Sequence, residues 1–179
     1  MYRKITTILA LAVLALAGSL VTASKALAAG AQHIQNVQTG YCVDQHFNAA
    51  GATITVYTWT PCHNEGNQNW GWEAVGNGWY RVVNNRWDPA TGLRWCLSAP
   101  EGAAETNRVY AEYCRADLPA KQRWSRLRVS PAGAAERYII ENARPGFLCM
   151  GQSSSDVTKA YVASCSSYAN SARFRWTFW

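Results

Sequence analysis

The sequence lacks the short motifs that most often mark an enzyme or a metal site. It has no C-x-x-C or H-x-x-x-H pair, which argues against zinc, and no G-x-S-x-G nucleophile elbow. Its three histidines, His33, His46 and His63, belong to no recognisable catalytic signature. Asp44 and Glu65 would serve glycoside hydrolysis only if their carboxyl groups lay at the retaining or inverting separation. We therefore expect no enzyme activity, no cofactor and no metal.

Long apolar runs are also missing. The apolar stretch at 8–16 is too short to cross a membrane comfortably. It follows Arg3 and Lys4 and precedes the small-residue segment 26–29, an order typical of a secretory signal peptide. We predict that residues 1–29 are this signal peptide, that no segment spans a membrane, and that residues 30–179 form one secreted, extracellular domain.

Acidic residues are few, with 11 Asp and Glu against 17 Lys and Arg, which gives a formal net charge of +6. Three of the basic residues, Arg3, Lys4 and Lys25, lie in the predicted leader, so the rest of the chain carries only +3. So small a charge does not favour binding to nucleic acid. We expect no nucleic-acid partner.

What the sequence does contain is a threefold repeat of cysteine, cysteine and tryptophan. Successive first cysteines lie 54 and 53 residues apart, and successive tryptophans 54 and 52 apart. Such a period predicts one structural module copied three times, at approximately 30–78, 79–133 and 134–179. The three sets are Cys42, Cys62 and Trp70; Cys96, Cys114 and Trp124; and Cys149, Cys165 and Trp176.

All six cysteines follow the predicted leader, and an even number in an exported chain indicates disulfides. Six cysteines allow fifteen connectivities, from which the repeat singles out pairing within each unit. Each bridge would close a loop of about 16 to 21 residues and stabilise the fold by about 3 kcal/mol in the chain-entropy model. The predicted pairs are Cys42–Cys62, Cys96–Cys114 and Cys149–Cys165.

Within each unit the residue pattern is typical of β-strands. Segments 80–84 and 138–142 are near copies of one short strand that runs into a turn, and 35–37 holds the equivalent place in the first unit. The segment 103–113 is the only helix candidate, and the β-prone pair Val109-Tyr110 interrupts it. Short strands between Gly, Asn, Asp and Pro clusters predict a closed all-β fold.

Each unit ends in a Q-x-W motif or a degenerate copy of one: 67–70 reads NQNW, 121–124 reads KQRW and 174–176 reads FRW. With the cysteine pairs, these motifs resemble the ricin B-chain-type lectin family over essentially the whole chain after the leader. The resemblance implies a β-trefoil of three pseudo-symmetric four-strand repeats, with six strands in a barrel and six in three capping hairpins. It also implies that Trp70, Trp124 and Trp176 belong to the core.

The same resemblance implies a sugar site made of a carboxylate, an aromatic ring and an amide. In the first repeat Asp44 stands at the carboxylate position, and Asn67 with Gln68 supplies the amide. Trp59 is the expected platform for the apolar face of the sugar, although it stands three residues before the second cysteine where the family usually has two. Tyr57 is the alternative platform. His46 is a rim residue, and the loop after it, up to residue 53, is expected to set the sugar preference.

The second and third repeats depart from this pattern. Ser98 replaces the carboxylate of the second repeat, with Glu112 at the aromatic position and Lys121 at the amide position. The third repeat has Gly151 and Phe174 where the first has Asp44 and Gln68. We therefore predict one sugar pocket, in the first repeat.

The function expected from the sequence is that of a secreted lectin whose partner is a glycan or polysaccharide. A separate catalytic or toxin subunit stays open as a further partner. The alternative is a protein-binding trefoil, either a protease inhibitor or the receptor-binding subunit of a toxin or secreted enzyme complex. That alternative would use the basic and aromatic side chains of the third repeat. They are Arg137, Arg144, Arg173, Arg175 and Trp179.

Overall fold

The chain folds almost wholly into short β-strands. The computed structural model describes residues 30–46, 53–102, 104–168 and 170–179, so the predicted signal peptide and the loop at 47–52 lie outside the described residues. A four-residue helix, Cys165–Tyr168 (α1), follows the twelfth strand. The strands are Ile34–Asn36 (β1), Cys42–Gln45 (β2), Thr53–Trp59 (β3), Trp70–Gly76 (β4), Trp79–Trp87 (β5), Arg94–Ser98 (β6), Ala104–Arg108 (β7), Tyr110–Tyr113 (β8), Trp124–Arg128 (β9), Tyr138–Asn142 (β10), Leu148–Gln152 (β11), Ala160–Ser164 (β12) and Trp176–Phe178 (β13).

Six strands close into a barrel. β4 pairs with β5, β5 with β9, β9 with β10, β10 with β13 and β13 with β1, all antiparallel. Gln32 and Trp70 then exchange two backbone hydrogen bonds of 2.9 Å, which joins the chain before β1 to β4. Closure leaves the barrel without an unpaired edge strand.

Three hairpins cover the barrel. β2 pairs with β3, β6 with β8 and β11 with β12, and the hairpins contact one another through β3–β8 and β7–β12 pairing. This arrangement is a β-trefoil, so the predicted all-β fold is confirmed. The described strands number thirteen instead of twelve because the buried Val109 interrupts the third strand of the second repeat.

The three repeat tryptophans form the centre of the core and make the same hydrogen bond in each repeat. Trp70, Trp124 and Trp176 are completely buried. Each indole N–H donates to the backbone carbonyl of the residue after the first cysteine of its own repeat, at 2.9, 2.8 and 2.9 Å. Each ring therefore fills the core while its only polar atom stays paired, as buried tryptophan requires.

Three buried asparagines tie each repeat to the one before it. They are Asn36, Asn84 and Asn142, and each side-chain oxygen accepts from the backbone N–H two residues later, at 3.0, 2.9 and 3.2 Å. Each side-chain amide donates to the carbonyl of the residue that precedes the Q-x-W position in the preceding repeat, at 2.9, 3.1 and 3.1 Å. The first repeat binds the third, the second binds the first and the third binds the second, so the three bonds form a closed ring around the pseudo-threefold axis.

The three predicted disulfides are confirmed. Each joins the two cysteines of one repeat, and the described residues contain no free cysteine. Glu141 lies within 4.8 Å of both sulfurs of the third bridge, but those sulfurs are bonded to each other and offer no thiolate to a metal. Among the described residues no helix has the length and apolar character needed to cross a membrane.

The buried indoles predict a large loss of stability when one is shortened. Trp124→Phe removes the hydrogen bond to the Leu97 carbonyl and leaves a void in the core, so we expect the free energy of unfolding to fall by about 2–4 kcal/mol. Chemical denaturation with the disulfides intact measures this loss. Trp59→Phe is the matched control, because Trp59 is 52% exposed. Equal effects of the two substitutions would contradict the buried role of Trp124.

Candidate functional site

A cavity of about 460 Å³ opens beside the β2–β3 hairpin of the first repeat. Five of the six residues predicted for the sugar site line it, and Gln68 does not. His63 and Glu65, which were not predicted for the site, complete the lining. The lining residues are Asp44, His46, Tyr57, Trp59, His63, Glu65 and Asn67.

Two amide side chains hold the carboxylate of Asp44. Its Oδ1 accepts a hydrogen bond of 2.8 Å from Asn67 Nδ2, and its Oδ2 accepts one of 2.7 Å from Gln68 Nε2. Asn67 and Gln68 lie in a single 3-10 turn, Gly66–Gln68, which folds back over β2. A carboxylate oxygen has more than one acceptor position, so each oxygen keeps acceptor capacity after these two bonds.

Gln68 positions the site without reaching the cavity. It is completely buried, and its Oε1 accepts a 2.8 Å hydrogen bond from the backbone N–H of His63. The side chain therefore links Asp44 to the chain that follows the first disulfide. This placement differs from the sequence interpretation, in which Gln68 shared the ligand contact. Asn67 is the amide that lines the cavity.

Of the two candidate rings, Trp59 is the one that is open to a ligand. It is 52% exposed and lies at the end of β3. The half-buried Tyr57 ring is already in contact with other groups, since the Arg108 guanidinium lies 4.8 Å from its centroid and the His46 ring 5.6 Å away. The structure thus favours Trp59 as the platform and makes Tyr57 part of the wall.

The unusual spacing of Trp59 has a simple structural explanation. Trp59 lies opposite the first cysteine of its hairpin, and Glu112 and Ala163 hold the same register in theirs. The extra residue therefore lies between Trp59 and Cys62. Trp59 occupies the usual aromatic position in space despite the longer count along the chain.

Two buried polar atoms of the residues that line the cavity are unpaired. Oδ1 of Asn67 and Nδ1 of His63 have no hydrogen-bond partner among the described residues. His63 Nε2 lies 3.9 Å from Asp44 Oδ2, and Glu65 is exposed at the start of the 3-10 turn. Both His63 and Glu65 stand between the second cysteine and the Q-x-W motif, and that position is the signal by which the sequence could have identified them.

The second repeat keeps a carboxylate but supplies it from the opposite strand. Glu112 on β8 accepts from Gln122 Nε2 at 2.9 Å and from the Ser98 hydroxyl at 3.1 Å. Its other oxygen accepts from Lys121 Nζ at 2.8 Å, and this hydrogen bond raises the pKa of Lys121 against the opposing effect of burial. The carboxylate that would grip a ligand is thus neutralised by an ion pair within the repeat.

In the third repeat an aromatic side chain fills the place of the carboxylate. The buried Phe174 stands where the first repeat has Gln68, and its ring meets Tyr161 edge-on at 5.6 Å. A Cβ atom on Gly151 would lie 2.5 Å from two atoms of that ring. Gly151 and Phe174 are therefore a matched pair, and the space that Asp44 occupies in the first repeat is closed here.

Four of the five residues of the third repeat that the alternative function would use have different surroundings. Arg144 Nη1 lies 4.0 Å from Glu101 Oε1. Trp179 packs on His33, with ring centroids 4.1 Å apart. Arg137 and Arg175 line a second cavity of their own.

Comparison with known proteins supports the fold. No family model and no curated protein matches the chain. Among solved structures it is similar to the designed threefold-symmetric protein ThreeFoil, with 15% identity, a TM-score of 0.60 and coverage of 82% of this chain and 96% of that one. It is also similar to the exo-β-1,3-galactanase 1,3Gal43A of Clostridium thermocellum, with 15% identity and a TM-score of 0.59, over 84% of this chain and 30% of that one. It is similar as well to a mosquitocidal holotoxin, with 14% identity and a TM-score of 0.60, over 82% of this chain and 16% of that one.

These neighbours agree with the β-trefoil architecture, and at such low identities the likeness concerns the fold alone. The chain spans nearly all of the designed protein but less than a third of the galactanase and of the holotoxin. It therefore matches one part of each of those two longer chains.

The pairing of Gly151 with Phe174 predicts a coupled effect on stability. Gly151→Ala places a methyl group against a rigid buried ring, and we expect a loss of about 1–3 kcal/mol in unfolding free energy. With Phe174→Leu already present, the same substitution should cost less, which a double-mutant cycle measures. Gly66→Ala is the control, since its Cβ would meet neighbours no closer than 3.5 Å. An unchanged cost in the two backgrounds would contradict the pairing.

Proposed function

We propose that this protein binds carbohydrate through the cavity of the first repeat. The observation that carries the proposal is Asp44, held by two amides at the base of a cavity that an exposed Trp59 ring flanks. A fixed carboxylate accepts charge-assisted hydrogen bonds from adjacent sugar hydroxyls, and an aromatic ring covers the apolar face of the sugar.

The family and the setting belong to the same proposal. The Q-x-W motifs and the pairing of cysteines within repeats support membership of the ricin B-chain-type lectins. Three disulfides are typical of oxidising compartments and, with the predicted leader, support secretion. One neighbour is a galactanase and another a holotoxin, which supports a glycan as ligand and a catalytic or toxin subunit as a further partner.

The proposed activity is binding without turnover. Each oxygen of Asp44 accepts a hydrogen bond from an amide, an arrangement that suits an acceptor of ligand hydroxyls. A single shallow site of this kind binds a monosaccharide at about millimolar strength, so useful affinity requires several sites presented together or clustered glycans. Sugar bound by the purified protein should be recovered chemically unchanged.

The charge of the cavity favours neutral or amine-bearing sugars over acidic ones. Its lining includes the carboxylates of Asp44 and Glu65 and no lysine or arginine. A uronate or sialate placed there would face two carboxylates without a cation to compensate, and like charges at short range disfavour binding. Glu65 is exposed and its side chain does not cap the 3-10 turn, so its charge is directed at solvent and ligand alone.

Loss of the Asp44 carboxylate should abolish sugar binding. We expect Asp44→Ala to remove retention on glycan arrays and affinity gels while Ser98→Ala, at the equivalent position of the second repeat, leaves it unchanged. Asp44→Ala also leaves two buried amide donors unpaired, at a cost of about 1–3 kcal/mol in stability, so thermal melting is measured in parallel. Unaltered binding by a folded Asp44→Ala protein would remove the proposed site.

The charge argument predicts a change of selectivity on reversing Glu65. We expect the cavity that contains Asp44 to bind glucuronate roughly tenfold more weakly than glucose or glucosamine, and Glu65→Lys to narrow or reverse that difference. Competition against an immobilised ligand measures the ratio. Glu101→Lys makes the same change of net charge on a side chain that is 93% exposed and outside the cavity. An equal shift in both variants would show that overall charge, not the cavity, sets the preference.

A further inference from the structure

A second cavity, of about 240 Å³, lies where the second repeat meets the third, and its lining has a different chemistry. Its walls come from the loop 129–137 between β9 and β10, and from Arg175, which immediately precedes β13. The corresponding connection in the first repeat, between β4 and β5, is only the two-residue turn at 77–78. The longer loop is thus what creates the cavity, and the other repeats offer no equivalent within the described residues. Ser130, Arg137 and Arg175 supply the polar groups of the lining, and the other four lining residues are apolar: Val129, Pro131, Ala134 and Ala135.

The two arginines of this cavity have no anionic partner. Neither the Arg137 nor the Arg175 guanidinium lies within 4.0 Å of a carboxylate among the described residues. Nη1 of Arg175 is buried without a hydrogen-bond partner. Six other arginines of the described chain pair with a carboxylate in contrast. A buried cationic nitrogen without a partner is costly. The paired ones include Arg81 and Arg94 with Glu73, Arg108 with Asp156, Arg115 with Asp117, Arg128 with Glu136, and Arg144 with Glu101.

The nearest acid along the chain is already bound elsewhere. Glu136 precedes Arg137, but its carboxylate lies 3.2 Å from Arg128 Nη1 and accepts a 2.7 Å hydrogen bond from the Tyr138 hydroxyl. No acidic residue lines the cavity. The charges of the two lining arginines are therefore not compensated by an acid within the cavity.

Ser130 is oriented to donate. Its oxygen accepts from the backbone N–H of Arg137 at 3.2 Å and from Nε of Arg128 at 3.4 Å. Since both contacts use the oxygen as acceptor, the hydroxyl hydrogen is free for another group. The cavity thus combines two cationic forks with one hydroxyl donor.

We propose that this cavity is an oxyanion-binding site that takes a sulfate, phosphate or carboxylate group carried by a ligand. Guanidinium groups bind such oxygens through paired, charge-assisted hydrogen bonds, and the planar fork matches their geometry. The site differs in place and in charge from the cavity that contains Asp44. Its existence does not rest on the proposed binding of sugar in the first repeat.

Titration of the folded, disulfide-bonded protein with inorganic sulfate tests the proposal. Ionic strength is kept constant with sodium chloride, and amide chemical shifts are followed by NMR. We expect saturable shifts in the segment 129–137 and at Arg175, and a loss of affinity of roughly tenfold or more in Arg137→Gln and in Arg175→Gln. Arg115→Gln is the charge-matched control, because Arg115 already pairs with Asp117, and it should bind sulfate as the natural protein does.

Separate titrations with inorganic phosphate and with glucuronate identify which source of the oxyanion is preferred. Asp44→Ala should keep the sulfate response, so failure of the sugar site and failure of this site are distinguishable. Arg137 is exposed on the loop, so Arg137→Gln can still test the site if Arg175→Gln fails to fold. Chemical shifts that grow linearly with sulfate concentration without saturating would overturn the proposal. An equal loss of sulfate affinity in Arg137→Gln and Arg115→Gln would overturn it as well.

Discussion

The buried asparagine amides are the interaction on which the three-part architecture depends. Asn36, Asn84 and Asn142 each shape a turn in their own repeat and bind a carbonyl of the preceding one. One of those carbonyls belongs to Asn67, the amide that holds Asp44 from the cavity side. The second repeat therefore positions the site of the first. Because a lone repeat cannot satisfy these polar groups or bury its tryptophan, the three copies are stable only together.

Much of this architecture could be predicted from the sequence because it depends on spacing. The regular distance between cysteines and tryptophans predicted the three internal disulfides, and the resemblance carried by the Q-x-W motifs implied the trefoil. Both are confirmed. Asp44, Trp59 and Asn67 also line one cavity, as the resemblance implied, because the hairpin register places Asp44 and Trp59 on the same face and a hydrogen bond from the 3-10 turn holds Asn67 against Asp44. The sequence pattern predicts structure at positions where the same residue type recurs in every copy of the repeat.

Other features depend on the direction in which a side chain points, and no pattern in the sequence indicates that direction. Gln68 aligns with a family contact residue, yet it is buried and reaches Asp44 from behind. The second repeat was interpreted as having lost its carboxylate, whereas Glu112 delivers one from the opposite strand and Lys121 neutralises it. Gly151 is explained only by the ring of Phe174. In each case two residues distant along the chain compensate for one another, and neither is informative alone.

Because the first and last strands meet, the fold does not depend on which of the three units comes first along the chain. β1 pairs with β13, and the backbone N–H of His33 donates to the carbonyl of Trp179 at 2.9 Å, so the two extremities of the described domain are neighbours. A short peptide could join them, and the chain could instead be opened at the tight turn of Asn77 and Gly78. A gene rearranged in this way would encode the same barrel with every strand pairing intact. A protein fused to either end of the described domain would be attached on the same side of the molecule.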